Sequence, residues 1–343
     1  MEALEIVRNA EEAGEAPLVL RAKTAGFAAS ARAAIERIQT IVLPAELEPW
    51  VKRYEAVGKR NSFLWAWVLR GLDITTLSSV DPTLRTSVLV TKLLGVVLDV
   101  LLDDIADVRQ DPEMLEAALA ITTGRGRRDE WQRFGPDAAR YLSCIADVWA
   151  EIMTRVRALP RYQEFSEVLS YDYDQLFNTM RYAVLINRHN ELLNLAENEL
   201  YQPHNMHMMV NATVDLMASP IFDRGELGIL RECLIRGQRM GRIGNQVSTW
   251  ERELKDADYS SAVFGYAMRE GIIDLTQLQS GDRETVRKAL IDGEVESHFL
   301  REWQRLHDET LHLGERVVSV NVGQLVGGLR ELIQLHLGSK GLK

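Results

Sequence analysis

The chain has 343 residues, 46% of them hydrophobic, and its 50 acidic and 40 basic side chains give a formal net charge of −10. That acidic balance argues against a general nucleic-acid binder, which needs a basic footprint. Only Cys144 and Cys233 occur, far apart and without CxxC spacing; this argues against a disulfide framework or zinc knuckle and suits a reducing, cytoplasmic setting.

Residues 1–20 are acidic and mixed, which fits a flexible arm rather than a signal peptide. From residue 21 to 343 the chain reads as one α-helical domain. Strand-like alternation is scarce, Asn-Gly hairpin signals are missing, and the 9 prolines fall mostly where helices begin or end. The spacing predicts helices over residues 25–41, 46–58, 62–72, 84–109, 112–123, 136–156, 161–197, 203–218, 224–256, 259–270, 283–316 and 319–337. The breaks between them are short and not linker-like, and the chain shows no internal repeat. The longest apolar run, Val88 to Leu102, carries Lys92 and Asp99 and falls short of the roughly 18 clean residues a membrane span needs.

Two predicted helices, 84–102 and 205–218, are apolar almost all round and belong inside a bundle. The first ends in "LLDDIADVRQD". Asp103 and Asp107 are i,i+4 neighbours, and Asp104 and Asp107 are i,i+3. Carboxylates at the negative end of a buried helix are disfavoured. Clustered there, they suit a hard divalent cation such as Mg²⁺, which takes oxygen ligands and commonly binds carboxylates together with substrate phosphates. The plainer alternative is an acidic helix end facing solvent beside Arg109.

About 140 positions later comes "RIGNQVSTWERELKDAD", from Arg242 to Asp258. Asn245, Thr249 and Glu253 recur at i, i+4 and i+8, an amide, a hydroxyl and a carboxylate along one side of a helix. Arg242 lies one turn before Asn245, and Arg252 directly precedes Glu253. Oxygens for a metal beside guanidinium forks for phosphate oxygens are what a metal–diphosphate site needs. Alone, this segment also reads as an ordinary polar stripe on a surface helix.

Together the two segments carry a resemblance. The sequence resembles the class I terpene synthase family, in particular its short bacterial single-domain members, many of which use diterpene precursors. "DDIAD" looks like the family's aspartate-rich motif. "NQVSTWERE" looks like its second metal motif, N-D-x-x-S/T-x-x-x-E, with Gln246 at a position that is not a ligand. The resemblance implies an antiparallel helical bundle around a central apolar cavity. It implies three Mg²⁺ ions held by Asp103, Asp104, Asp107, Asn245, Thr249 and Glu253. It implies a prenyl diphosphate substrate, C20 by likeness (geranylgeranyl diphosphate or a bicyclic diterpenyl diphosphate), ionised and then cyclised as a carbocation. Arg242 and Arg252 stand where the family puts diphosphate-contacting cations. A homodimer is a state the resemblance allows. Two features depart from the pattern. The tail "VGGLRELIQLHLGSKGLK" lacks an Arg-Tyr pair, and no arginine stands at the usual separation before the second motif, so Arg181 is taken as the substitute sensor.

A carbocation needs a dry, unreactive wall, and aromatic faces stabilise it by roughly 0.5–2 kcal/mol each. Val96, Asp99 and Val100 lie one or two turns before the triplet. Phe63, Trp67, Phe177, Tyr182 and Trp303 are the candidate aromatic wall, with plain core packing as the alternative for each. Asp99 is either a fourth acid of the metal site or a buried acid with a neighbouring partner. The resemblance implies a kink in the helix before the second motif; in "YQPHNMHMMVNATVDLMASP" it is expected between Asn211 and Asp215, where Asp215 would help trigger ionisation. The expected lids are Val108–Met114 and Lys255–Ser261. A chain-elongating prenyltransferase would show a second DDxxD. A head-to-head condensing enzyme would show two DxxxD motifs, of which Asp99/Asp103 mimics one. A sesquiterpene (C15) synthase and a helical scaffold are the other rivals.

Overall fold

The computed structural model describes residues 32–340, apart from residue 34. The expected arm at 1–20 and the start of the expected 25–41 helix lie outside these described residues, within which every regular element is helical. The α-helices are α1 (Glu48–Glu55), α2 (Phe63–Ile74), α3 (Arg85–Asp103), α4 (Pro112–Thr122), α5 (Pro136–Arg157), α6 (Tyr162–Arg188) and α7 (Leu195–Tyr201). They continue with α8 (Met208–Met217), α9 (Leu227–Asp256), α10 (Ala262–Arg269), α11 (Leu275–Gln279), α12 (Arg283–Asp292), α13 (Val295–Gly314) and α14 (Val322–Gly338).

Packing closes a ring. α3 lies against α2 and α8, α2 against α14, α14 against α9, and α9 back against α8. The two motif-bearing helices, α3 and α9, are therefore separate walls of one enclosure. α3 earns its place there by composition: Leu93, Leu94, Val97, Leu98, Leu101 and Leu102 are fully buried. Each such side chain contributes about 1.5–3 kcal/mol of transfer free energy. Its buried cation is matched. Lys92 donates to Asp215 of α8 at 2.9 and 3.1 Å and to Thr76 Oγ1 at 2.8 Å, while the Leu77 N–H donates to Asp215 at 3.0 Å. Both partners of this ion pair are 1% exposed. No helix of the described residues is long and apolar enough to cross a membrane.

Some helix limits differ from the sequence reading, each for a local reason. The expected 161–197 helix ends at Arg188, and a new helix starts at Leu195, where the Asn194 side chain caps the Glu197 N–H at 2.9 Å. The expected 283–316 helix breaks at Gly293–Glu294, where Glu294 takes a φ of 49°. The kink expected between Asn211 and Asp215 lies earlier. A 3-10 segment, Gln202–Met206, ends at His207 with a φ of 57°, and α8 starts from it. The His207 ring lies against α3 at Gly95, where an added Cβ would come within 2.6 Å of it. Glycine at that position is what lets the break approach α3 so closely.

Candidate functional site

The aspartate triplet straddles a change of helix type. α3 ends at Asp103, and Asp104–Arg109 form a π-helical turn closed by Gln110 at a φ of 50°. Such i→i+5 turns are rare and concentrate at functional sites. Asp111 then caps α4 by accepting from the Met114 N–H at 3.0 Å. Arg109 stacks over the Tyr141 ring, 4.6 Å from its centroid.

The cation against the first two acids is Arg60, from the loop between α1 and α2. Its Nη2 lies 3.3 Å from Asp103 Oδ2 and 3.1 Å from Asp104 Oδ1, and its Nε donates to Asp104 Oδ1 at 3.2 Å. The Tyr54 hydroxyl donates to Asp104 Oδ2 at 3.0 Å and accepts the Arg60 backbone N–H at 3.2 Å. Asn205, just before the His207 break, donates to Asp103 Oδ1 at 3.1 Å. Each of the four oxygens of this pair thus has a donor.

Asp107 is different. One of its oxygens is buried with no hydrogen-bond partner among the described residues. Its carboxyl is held well above the usual range, by burial first, then by Asp258 and Asp103, with Arg242 pulling the other way. Asp99 is 6% exposed, also with an unpartnered buried oxygen, and is raised by burial and by Asp103 against the opposing pull of Arg242. An arginine of α9 therefore bears on Asp99 of α3 and on Asp107 in the turn that follows it.

On α9 the second motif forms a hydrogen-bonded string. Arg242 is buried and donates to Asn245 Oδ1 at 3.0 Å. With its carbonyl oriented inward, Gln246 accepts from Arg242 Nε at 3.3 Å and from the Ala262 N–H at 3.1 Å. Thr249 donates to Glu253 Oε1 at 2.7 Å and to the Asn245 carbonyl at 2.8 Å. Glu253 Oε2 is buried without a partner among the described residues. Its carboxyl is pushed up to about 7, by burial first and Asp258 second. Arg252 is half-exposed, 3.9 Å from Glu253.

Asp258, unassigned in the sequence reading, stands where the motifs meet, acting on both Asp107 and Glu253. Asn187 donates to its Oδ1 at 3.1 Å, as does the Ser260 N–H at 3.0 Å. The stretch expected as a second lid is packed here: Tyr259, Ser260 and Ser261 are all buried. In the other expected lid, Val108 is exposed and Met114 is buried.

Two sequence-based assignments, Arg181 and Asp215, are corrected. Arg181 is on the outer surface of α6, forked onto Glu116 at 2.6 and 2.9 Å, and does not join the acids. Asp215 is committed to Lys92, eleven residues before Asp103 on α3, or about 16 Å along the helix axis. It serves the core rather than the acidic site. Val96, Val100 and Phe63 are half-buried against the core. Trp67 packs edge-on to His336 of α14, which abuts Gly244 of α9 beside the second motif. Phe177 stacks on Tyr173, whose hydroxyl is raised by burial and then by Asp99. Tyr182 pairs with Tyr201, and Trp303 with His307 of its own helix. No group of three or more His, Cys, Asp or Glu side chains is already gathered as a metal cage among the described residues. A cleft of about 570 Å³ lies between α4 and the 3-10 segment Arg128–Phe134, and none of its lining residues belongs to either motif.

Comparison with solved structures decides the architecture. Isoprene synthase from grey poplar leaves (Populus x canescens) matches with a TM-score of 0.55 and 11% sequence identity, over 90% of this chain and 53% of the poplar chain. The chain has a terpene synthase fold. It spans about half the length of the poplar protein. No protein-family model and no curated protein matches the sequence.

Proposed function

We propose that this chain is a Mg²⁺-dependent class I terpene cyclase acting on an allylic prenyl diphosphate, with a C20 substrate as the first choice. The observation that carries the reading is the meeting of the two motifs. The charge of Arg242 on α9 favours the ionised forms of Asp99 on α3 and Asp107 in the turn after it, and unpartnered buried oxygens remain on Asp99, Asp107 and Glu253. Buried carboxylate oxygens without donors are costly unless a cation completes them. The donor set is all oxygen, as a hard divalent ion prefers.

Asp103, Asp104 and Asp107 from one wall and Asn245, Thr249 and Glu253 from the other are the residues that would hold three Mg²⁺ ions. Bound there, the ions supply positive charge against the departing diphosphate. Arg242 and Arg252 orient the phosphate oxygens through their guanidinium forks. Trp67, Phe177, Val96 and Val100 are the apolar side chains that would keep water from the cation. Pre-organised charge of this kind is typically the largest catalytic term.

The test is incubation of the purified chain with C10, C15 and C20 allylic diphosphates, with and without Mg²⁺, followed by extraction and product analysis. A cyclic hydrocarbon or alcohol formed only with metal is expected. A longer linear diphosphate would assign the chain to elongation instead, and full recovery of every substrate would remove the enzyme reading.

A further inference from the structure

We propose that Arg60 is a displaceable occupant of the Asp103–Asp104 pair: a divalent cation that binds there expels its guanidinium, so that ion binding and release of the loop over residues 56–62 are one event. This inference rests on the metal-binding reading above. Arg60 lies over the face shared by the two acids, 3.1 and 3.3 Å from their oxygens. Mg²⁺ takes carboxylate oxygens at about 2.0–2.1 Å with a near-octahedral shell. The guanidinium and that shell cannot fill the same face, and two positive groups in contact repel.

The grip of Arg60 suits release. Its contacts with the carboxylates, at 3.1–3.3 Å, are longer than the 2.7–2.9 Å of a tight charge-assisted bond. Its side chain is 28% exposed, so the guanidinium has a path back to solvent. Between its ends the loop is held chiefly by Tyr54, with Val57 packed against the core. Gly58 N–H donates to the Tyr54 carbonyl at 2.7 Å, and Arg60 N–H donates to its hydroxyl at 3.2 Å. Gly58 sits so close to the Tyr54 ring that an added Cβ would lie 2.2 Å from it. Lys59, Asn61 and Ser62 are exposed. Asp107 and Glu253 carry no comparable occupant on their open oxygens. The acidic pair is thus the half of the site where a cation meets resistance, and Arg60 is the source of it.

The experiment uses the full chain and Mg²⁺ alone as the probe. Calorimetric titration measures affinity, and hydrogen exchange follows the backbone over residues 56–65. The expected result is faster exchange of that segment in the wild type on saturation with Mg²⁺. Arg60→Gln is expected to bind Mg²⁺ on the order of ten-fold more tightly, with loop exchange that no longer responds to the ion. Arg60→Lys should fall between, and Arg127→Gln, a surface change, should match the wild type. Equal or weaker Mg²⁺ binding by Arg60→Gln overturns the proposal, as does wild-type loop exchange that stays constant or slows. If Arg60→Gln fails to fold, the wild-type exchange measurement decides alone. Mg²⁺ binding of equal strength in both forms defeats only the role of Arg60. Lack of Mg²⁺ binding in every form defeats the metal reading, and this proposal with it.

Discussion

Asp103 and Asp104 on one side, and Asp107, Asp99 and Glu253 on the other, occupy neighbouring ground but are treated in opposite ways. The first two have every oxygen taken by Arg60, Tyr54 or Asn205. The other three each keep a buried oxygen with no donor. Donors offset much of what burying a carboxylate costs, although burial still leaves Asp104 raised, whereas an unsatisfied buried one costs more until something positive arrives. Among the described residues, the buried carboxylate oxygens left without a donor gather where two distant stretches of sequence converge.

Substitutions can break this contrast. Asp107→Asn or Glu253→Gln should lower Mg²⁺-dependent turnover by roughly a hundred- to a thousand-fold, and yet raise the Tm of the metal-free protein by about 2 °C or more. Steady-state kinetics and a thermal scan in chelator check both; a fall in Tm would show those oxygens to be satisfied after all. Asp215→Ala, a fully satisfied acid in the same bundle, should instead cost about 3–5 kcal/mol, because it leaves Lys92 buried without its partner. Denaturant unfolding measures it.

Acidity sharpens the contrast further. Glu253 sits at about 7 in the folded protein against an ordinary 4.5. The unfolded chain therefore gives up this proton first as pH rises. Metal-free stability should fall between about pH 4.5 and 7 and level off above, a change of about 3 kcal/mol from this residue. Glu253→Gln should flatten that slope, as read by unfolding at a series of pH values. The smallest effect belongs to the satisfied pair: Asp104→Asn, which weakens bonds from Arg60 and Tyr54, should lower stability by about 1–2 kcal/mol.

The parts of this site legible in the sequence are those written at helical spacing. The triplet on α3 and the Asn245–Thr249–Glu253 string on α9 could be read because residues three or four apart on a helix share a face whatever surrounds them. The buried character of α3 was legible in its unbroken apolar run. Arg60, Tyr54, Asn205 and Asp258 were not, because each reaches the acids from a different element, and no local spacing records such a contact. Arg181 and Asp215 misled for the same reason. Their chemistry suited the reaction, but Glu116 and Lys92 claim them through contacts 65 and 123 positions away in sequence. The break at His207 was placed a turn too late, since what fixes it is the seat of the imidazole on Gly95 rather than a helix-breaking residue.

The π turn after Asp103 carries a consequence of its own. Each residue of an α-helix advances the chain by about 100°, so removing Ile105 or Ala106 from the turn would carry Asp107 around the axis, out of its present direction. A scan that replaces side chains one at a time would leave this feature untouched. The third acid is aimed by how many residues the turn contains, and a single-codon deletion there would disarm the site while every acidic letter of the motif could still be present.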